Sequence, residues 1–316
     1  MTIHPQSAEA LRGFFGKQPI RPIAIQSDQD RAELAAETGG TPKLDLSAAS
    51  NIGSTPFIDY LYADILHTLQ QPRGDDPDEV TFVIMGQVME LQFKLLGYEL
   101  TRAQLALRAA DLRETQVILR RSHRVLEYLG QVWNVLSTIT PRGYQAFRNH
   151  LGLGSGFESY MDRRLEFILG NKQPRMLVPH QGVPEVHAVL AAVLQAPSLY
   201  DDAIALLSRR GLPIDRSALE RDWSEPYLPN DSVRAAWLQI YQTAEPHDDL
   251  YQLGEALVDL AERFKVWRYR HFVTVERLIG FKPGTAGPAS GGSGRSWTRT
   301  SFRSCGRSGP SCSAAT

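Results

Sequence analysis

Apolar residues recur at helical spacing along most of the chain, and strict alternation is nearly absent. Leu253, Leu257, Leu260, Phe264, Trp267, Val275 and Leu278 mark one buried stripe within 250–280, which predicts a single long helix. Helices are also predicted over Pro77 to about Tyr98, Arg102–Thr138, Pro184–Gln195, Ser198–Arg209, Ser217–Trp223 and Ser232–Gln242. Asp76-Pro77-Asp78-Glu79 is a start signal, with Asp as N-cap, Pro at the first helical position and Glu at the third. After a further element at Pro56–Gln70 and a turn at Gln71–Asp76, Thr140-Pro141 restarts a short helix that carries Tyr144, Phe147 and Arg148. The glycine-rich segment Leu151–Phe157 has no strand before it and no Lys-Ser/Thr after it, so it matches no phosphate-binding pattern. The expected fold class is all-α, a helical bundle able to hold a cofactor between its helices.

The two ends differ from this middle. Residues 1–50 are polar and poorly periodic, and predict a mobile arm with one short helix around Asp28–Thr38. Residues 51–285 form the expected catalytic domain, and 286–316 are an irregular tail rich in Gly, Ser, Arg, Thr and Ala.

Composition narrows the function classes. The chain has 316 residues, 42% hydrophobic and 22% charged, with a formal net charge of −1, an ordinary globular balance. Near-neutral charge gives no reason to expect nucleic acid or an anionic membrane as partner. No segment is expected to reach the ~20 apolar residues of a membrane span, and the N-terminus lacks a signal peptide's apolar core, so the expected location is cytoplasmic. Both cysteines, Cys305 and Cys312, fall in the last dozen residues, which leaves the body without a disulfide or thiolate site. A metal cofactor would have to be held by His or carboxylate.

His271 lies four residues after Trp267 on the buried stripe of the last helix. A neutral imidazole aimed into an apolar pocket suits the axial ligand of a heme iron. A hydrogen-bonded core histidine is the commoner explanation of the same pattern, and the residue alone leaves both open.

Several longer segments resemble, in order, those of the tryptophan 2,3-dioxygenase superfamily. Phe82-Val83-Ile84-Met85-Gly86-Gln87-Val88-Met89-Glu90 looks like its distal helix. Thr140–Arg148, Gly154–Ser159 and Glu166–Lys172 look like its substrate-carboxylate segments, and Arg270–Thr285 its proximal-ligand segment. The resemblance implies a helical homotetramer that binds heme b and uses O2 on the indole ring of an aromatic amino acid. By position it makes His271 the heme ligand, Arg148 the partner of the substrate carboxylate and Thr285 the partner of its ammonium. A planar guanidinium suits that first role through paired charge-assisted hydrogen bonds. Phe82 and Phe147 match apolar walls, Tyr144 a pocket tyrosine, and Ser155 a residue at the heme edge. Phe57 and Tyr60 match aromatics that a neighbouring subunit places over the pocket, with Phe57 standing where the family usually has Tyr.

The chain departs from that pattern at Gly86, where the family has a distal histidine, and at Asp162, where it commonly has a tyrosine. Glycine in a helix interior costs ~1 kcal/mol relative to Ala and here implies an enlarged pocket. Losing the distal donor removes up to about 1.5 kcal/mol of substrate orientation. These changes lead to the expectation of a diverged member that monooxygenates L-tryptophan or a β-substituted tryptophan to a 2-oxindole, as in maremycin biosynthesis. That chemistry needs an external reductant. The alternatives are full dioxygenation to N-formylkynurenine and a non-catalytic heme or tryptophan sensor. In the tail, residues 295–313 back-translated and read one base earlier can give AVVDANLVPELWSVRTKLL, which restores a Pro-Glu-Leu-Trp expected there. A frameshifted C-terminus is the corresponding expectation.

Overall fold

The computed structural model describes residues 56–152 and 154–280, with a few isolated positions nearer the N-terminus. Regular structure among the described residues is helical throughout, as the apolar spacing predicts. The chain divides into two compact units, Phe15–Pro72 and a larger one that includes everything from Arg73 onward.

In the smaller unit, α1 (Pro56–Leu61) and α2 (Ala63–Leu66) replace the single element expected at Pro56–Gln70. They are separated at Tyr62, whose backbone is left-handed with φ 51°. Asp28, Gln29, Ala32, Glu33 and Ala36 are helical, within the short helix expected there. Phe57 is 70% and Tyr60 67% exposed.

The larger unit is built on α3 (Pro77–Arg108), α4 (Leu112–Leu136) and α11 (Asp249–Ile279). Between them in sequence lie α5 (Pro141–Arg148), α6 (Tyr160–Ile168), α7 (Pro184–Gln195), α8 (Leu199–Arg209), α9 (Arg216–Leu219) and α10 (Asp231–Thr243). α3 and α11 both pack along α4, and their shared core contains Leu96, Leu100, Leu107, Leu119, Leu126, Leu129, Leu257, Leu260 and Phe264. The start of α3 follows its sequence signal: the Asp76 side chain accepts from the Asp78 N–H at 2.9 Å, with Pro77 in the first position. Glu79 is buried and closes the preceding turn by accepting from the N–H groups of Arg73 at 2.9 Å and Gly74 at 2.7 Å.

The break expected between Tyr98 and Arg102 is absent, and α3 runs ten residues further, to Arg108. Glu99 is buried and paired with Arg102 at 3.0 Å and Arg121 at 2.8 Å, so charge in this stretch is neutralised across α3 and α4. The turn falls instead at Ala110, with φ 57°, and Asp111 caps α4 by accepting from the Glu114 N–H at 2.9 Å. α6 has no counterpart among the predicted helices. The stretch Ser217–Trp223, predicted as a helix, contributes only the end of α9, because Ser224 N–H and hydroxyl turn back onto Asp222 at 2.8 and 2.6 Å.

Two stretches, Pro77–Arg108 and Pro184–Arg209, are long and apolar enough by composition to cross a bilayer, which corrects the expectation that none would be. The second is two helices, α7 and α8, divided at 196–198. Both stretches pack against neighbouring helices of the bundle.

Candidate active site

The last helix presents His271 as the stripe predicts, with one correction. Trp267, Thr274 and Leu278 are buried, whereas Val275 is 36% exposed. The 267–271–274–278 spacing follows 3.6 residues per turn, and Val275 lies one step off it. His271 is half-buried, and burial pushes its imidazole down to about 4, so the ring is neutral at physiological pH. Its ring stacks on Trp133 of α4, with centroids 4.7 Å apart and planes 8° from parallel. Trp267 flanks it at 6.0 Å and in turn meets Phe93 of α3 edge-on at 5.3 Å. The indole nitrogens of Trp133 and Trp267 are buried without hydrogen-bond partners among the described residues.

A second aromatic cluster gathers around α5. Thr140 caps this helix by accepting from Gly143 N–H at 3.0 Å, and Phe147 is fully buried. Phe82 of α3 meets Phe147 at 5.4 Å and Tyr144 at 6.2 Å, and Tyr144 and Phe147 meet edge-on at 5.3 Å. Burial raises the Tyr144 phenol, and the positive charge of Arg148 opposes that rise. Arg148 is half-buried at the end of α5, beside this apolar wall.

α3 joins the two clusters. Phe82, Gly86 and Phe93 succeed one another on one face of that helix, so Gly86 lies between the Phe82 group and the Phe93–Trp267–His271 group. A Cβ built on Gly86 would meet no atom of another described residue within 4 Å.

Ser155 sits in the loop after α5, where its hydroxyl accepts from Phe157 N–H at 3.3 Å and its own N–H donates to Glu158 at 3.0 Å. This is a local capping arrangement. Thr285 lies outside the described residues, as does the 286–316 tail.

α6 ties the proximal helix to the rest of the site. Its Glu166 is buried and paired with both Arg163 of the same helix and Arg268 of α11. Arg268 also lies over the Phe264 ring at 4.8 Å, and Arg270 donates to the Gly130 carbonyl of α4 at 2.8 Å. Two arginines in the turn before His271 therefore anchor its helix to α6 and α4. Trp133 was not singled out in the sequence; its place on the apolar stripe of α4 marks it as buried but not as the neighbour of His271.

No group of three or more His, Cys, Asp or Glu side chains able to cage a metal occurs among the described residues. A heme brings four ring nitrogens of its own and asks the protein for one neutral donor. His271, uncharged, without a hydrogen bond to another described residue, and walled by Trp133 and Trp267, fits that requirement.

Comparison with known proteins accords with this arrangement. The family model described as Tryptophan 2,3-dioxygenase matches residues 45–305. The chain belongs to the tryptophan 2,3-dioxygenase family. It is 44% identical over 270 residues to Tryptophan 2,3-dioxygenase 1 of Ralstonia nicotianae, covering 85% of this chain and 90% of that protein. It is 49% identical over 245 residues to Tryptophan 2,3-dioxygenase of Burkholderia pseudomallei, covering 78% of each. A similar protein of Burkholderia ambifaria is 44% identical over 275 residues, covering 87% of each. This membership gives the all-α bundle a heme as its implied cofactor, with His271 the residue suited to hold it.

Proposed function

We propose that this protein is a heme-dependent oxygenase of L-tryptophan that opens the indole ring to N-formylkynurenine. The observation that carries the reading is the pairing of a neutral, tryptophan-walled His271 with the Phe82–Tyr144–Phe147 cleft that ends at Arg148. The names and identity of the relatives favour this outcome over the 2-oxindole expected from the sequence. Heme, when bound through His271, supplies the iron at which dioxygen is activated. Arg148 binds the amino-acid carboxylate through its planar guanidinium, and Thr285 takes the ammonium. Phe82, Tyr144 and Phe147 hold the indole and exclude water from it. In this reaction both oxygen atoms enter the substrate as the C2–C3 bond breaks, and no external electrons are needed.

The open space at Gly86 favours a second reading, monooxygenation of tryptophan or a bulkier β-substituted tryptophan. One oxygen atom would then enter the ring and the other leave as water, using two electrons and two protons from an external reductant.

The homotetramer, with Phe57 and Tyr60 covering a neighbouring pocket and Ser155 at the heme edge, belongs to the same proposal. Exposed apolar side chains at Ile84, Leu91 and Leu95 of α3 and at Tyr269 and Phe272 of α11 support burial against further copies. A cytoplasmic location accords with it, and so does a frameshifted 295–313, which the intact mass of the natural protein decides.

Mass spectrometry of products from heme-loaded protein, oxygen and L-tryptophan tests the reading. A gain of two oxygen atoms, with the absorbance of N-formylkynurenine, is expected. A gain of one, dependent on reductant, selects the second reading. A Soret band that survives His271→Ala, or the absence of any oxygenated product, overturns both.

A further inference from the structure

An indole carries one polar ring atom, an N–H donor, and the Phe82–Tyr144–Phe147 wall offers its ring an apolar surface. A donor buried without an acceptor loses most of the benefit of burial, so a site that selects an indole needs an acceptor beyond that wall. Arg148, next to Phe147, places the amino-acid end of the substrate on the Phe82 side. The ring then extends along α3 towards Gly86 and Glu90, which follow Phe82 at four-residue intervals on the same face. Helical side chains lean towards the N-terminus of their own helix, so the Glu90 carboxyl covers the turn that carries Gly86. Among the described residues, none comes within 4 Å of a Cβ built on Gly86.

Glu90 is half-buried on α3, which packs against α6; the Ser159 hydroxyl of that segment donates to its carboxyl, and the charge of Asp162 opposes its ionisation. Asp162 Oδ1 is shielded from solvent and has no hydrogen-bond partner among the described residues. Asp162 occupies the third position of its helix, from which an acid commonly turns back to the N-cap. Glu158 does this to Ser155, and Asp201 to Ser198. In α6 only the other half of the box is made, from Asp162 N–H to Ser159 Oγ at 3.1 Å. The carboxyl is thus left over from the local structure. Arg163, whose charge favours its ionised form, is itself engaged with Glu166.

We propose that Glu90 and Asp162 together form the acceptor for the indole N–H of the substrate, and so determine specificity at the end of the pocket that Gly86 opens. Two half-buried carboxyls that act on each other do not both ionise readily, so one holds the proton and the other accepts. The inference rests on the tryptophan reading above.

Calorimetric titration of the ferric, heme-loaded protein tests it, with three probes: L-tryptophan, β-(3-benzothienyl)-L-alanine and indole-3-propionate. The benzothienyl analogue replaces N–H by sulfur at nearly the same size, and the propionate lacks the ammonium. Wild-type protein is expected to bind tryptophan on the order of 10-fold more tightly than the sulfur analogue, the size of one hydrogen bond to a charged acceptor. In Asp162→Leu and Glu90→Met that ratio should fall towards one while affinity for the sulfur analogue is retained, which also reports an intact fold. If either apolar variant does not fold, Asp162→Asn and Glu90→Gln should lower the ratio several-fold. Equal wild-type affinities for tryptophan and the sulfur analogue would overturn the proposal without any variant. So would an unchanged ratio in every variant that folds, or a loss of selectivity against indole-3-propionate alone, which would put the pair at the amino end. Wild-type protein that binds none of the three removes the tryptophan reading itself.

Discussion

The Trp133 indole lies face-on against the His271 imidazole, 4.7 Å between centroids and 8° from parallel. The stack fixes the plane of a side chain that has no hydrogen bond to another described residue to orient it. Groups that orient a metal ligand commonly contribute 10–100-fold in metal affinity. Trp133→Leu is therefore expected to speed heme transfer from this protein to apomyoglobin by about 10-fold. Trp133→Phe keeps a ring in the stack and should change it less. Equal transfer rates in wild type and Trp133→Leu would show that the stack does not position the ligand.

Gly86 sits inside α3, and no other described residue comes within 4 Å of a built Cβ. Gly86→Ala is expected to stabilise the protein by about 1 kcal/mol, through helix propensity and a less flexible unfolded chain. A thermal melt should show the rise, and a drop would mean that the site does not admit a methyl group. Under the monooxygenase reading, Gly86→His should move the product towards ring opening; an unchanged product ratio counts against any steering role for this position.

Glu166 holds Arg163 and Arg268 at once, and through Arg268 it fixes the helix that carries His271. Removing its charge leaves two arginines in a buried setting, at a cost of about 3–5 kcal/mol. Glu166→Gln should lower the denaturation midpoint accordingly and broaden or weaken the Soret band of heme-loaded protein. A stable variant with an unaltered band would mean that the arginines find other partners.

Burial raises the Asp162 carboxyl to about 6, above its ordinary value of 3.8. The folded state then holds this proton more tightly than the unfolded chain, so the carboxyl weakens the fold as pH rises from about 4 to 6 and has its full adverse effect above 6. Asp162→Asn removes that effect. The variant is expected to gain roughly 1–3 kcal/mol over wild type at pH 8, with the gain shrinking as pH falls below 6. Denaturant titrations at pH 4.5, 6 and 8 would check this, and a gain independent of pH would contradict it.

Much of the local structure was legible because its causes are local. Asp76-Pro77, Thr140-Pro141 and Ser198 start helices through their own side chains and backbone, within three residues of where they act. The stripe through Leu253, Leu260, Phe264 and Trp267 places His271 inward by spacing alone. Where helix signals failed, the deciding partner lay elsewhere in the chain. α6 buries Arg163, Arg164 and Glu166, a face that reads as polar until Arg268 of α11 pairs with it. α3 continues past Tyr98 because Arg121 of α4 neutralises Glu99.

The same division holds for the site. Motif order and spacing were enough to establish the family and to nominate His271, Arg148 and Gly86, since each can be read from its neighbours in the chain. That Trp133 stacks on His271, that Phe82 closes on Phe147, and that Glu90 feels the charge of Asp162 were settled only by packing. Each of these contacts joins two helices, and which residues meet depends on the angle and register at which those helices cross. Crossing geometry is set by the whole core, so no short stretch of sequence encodes it.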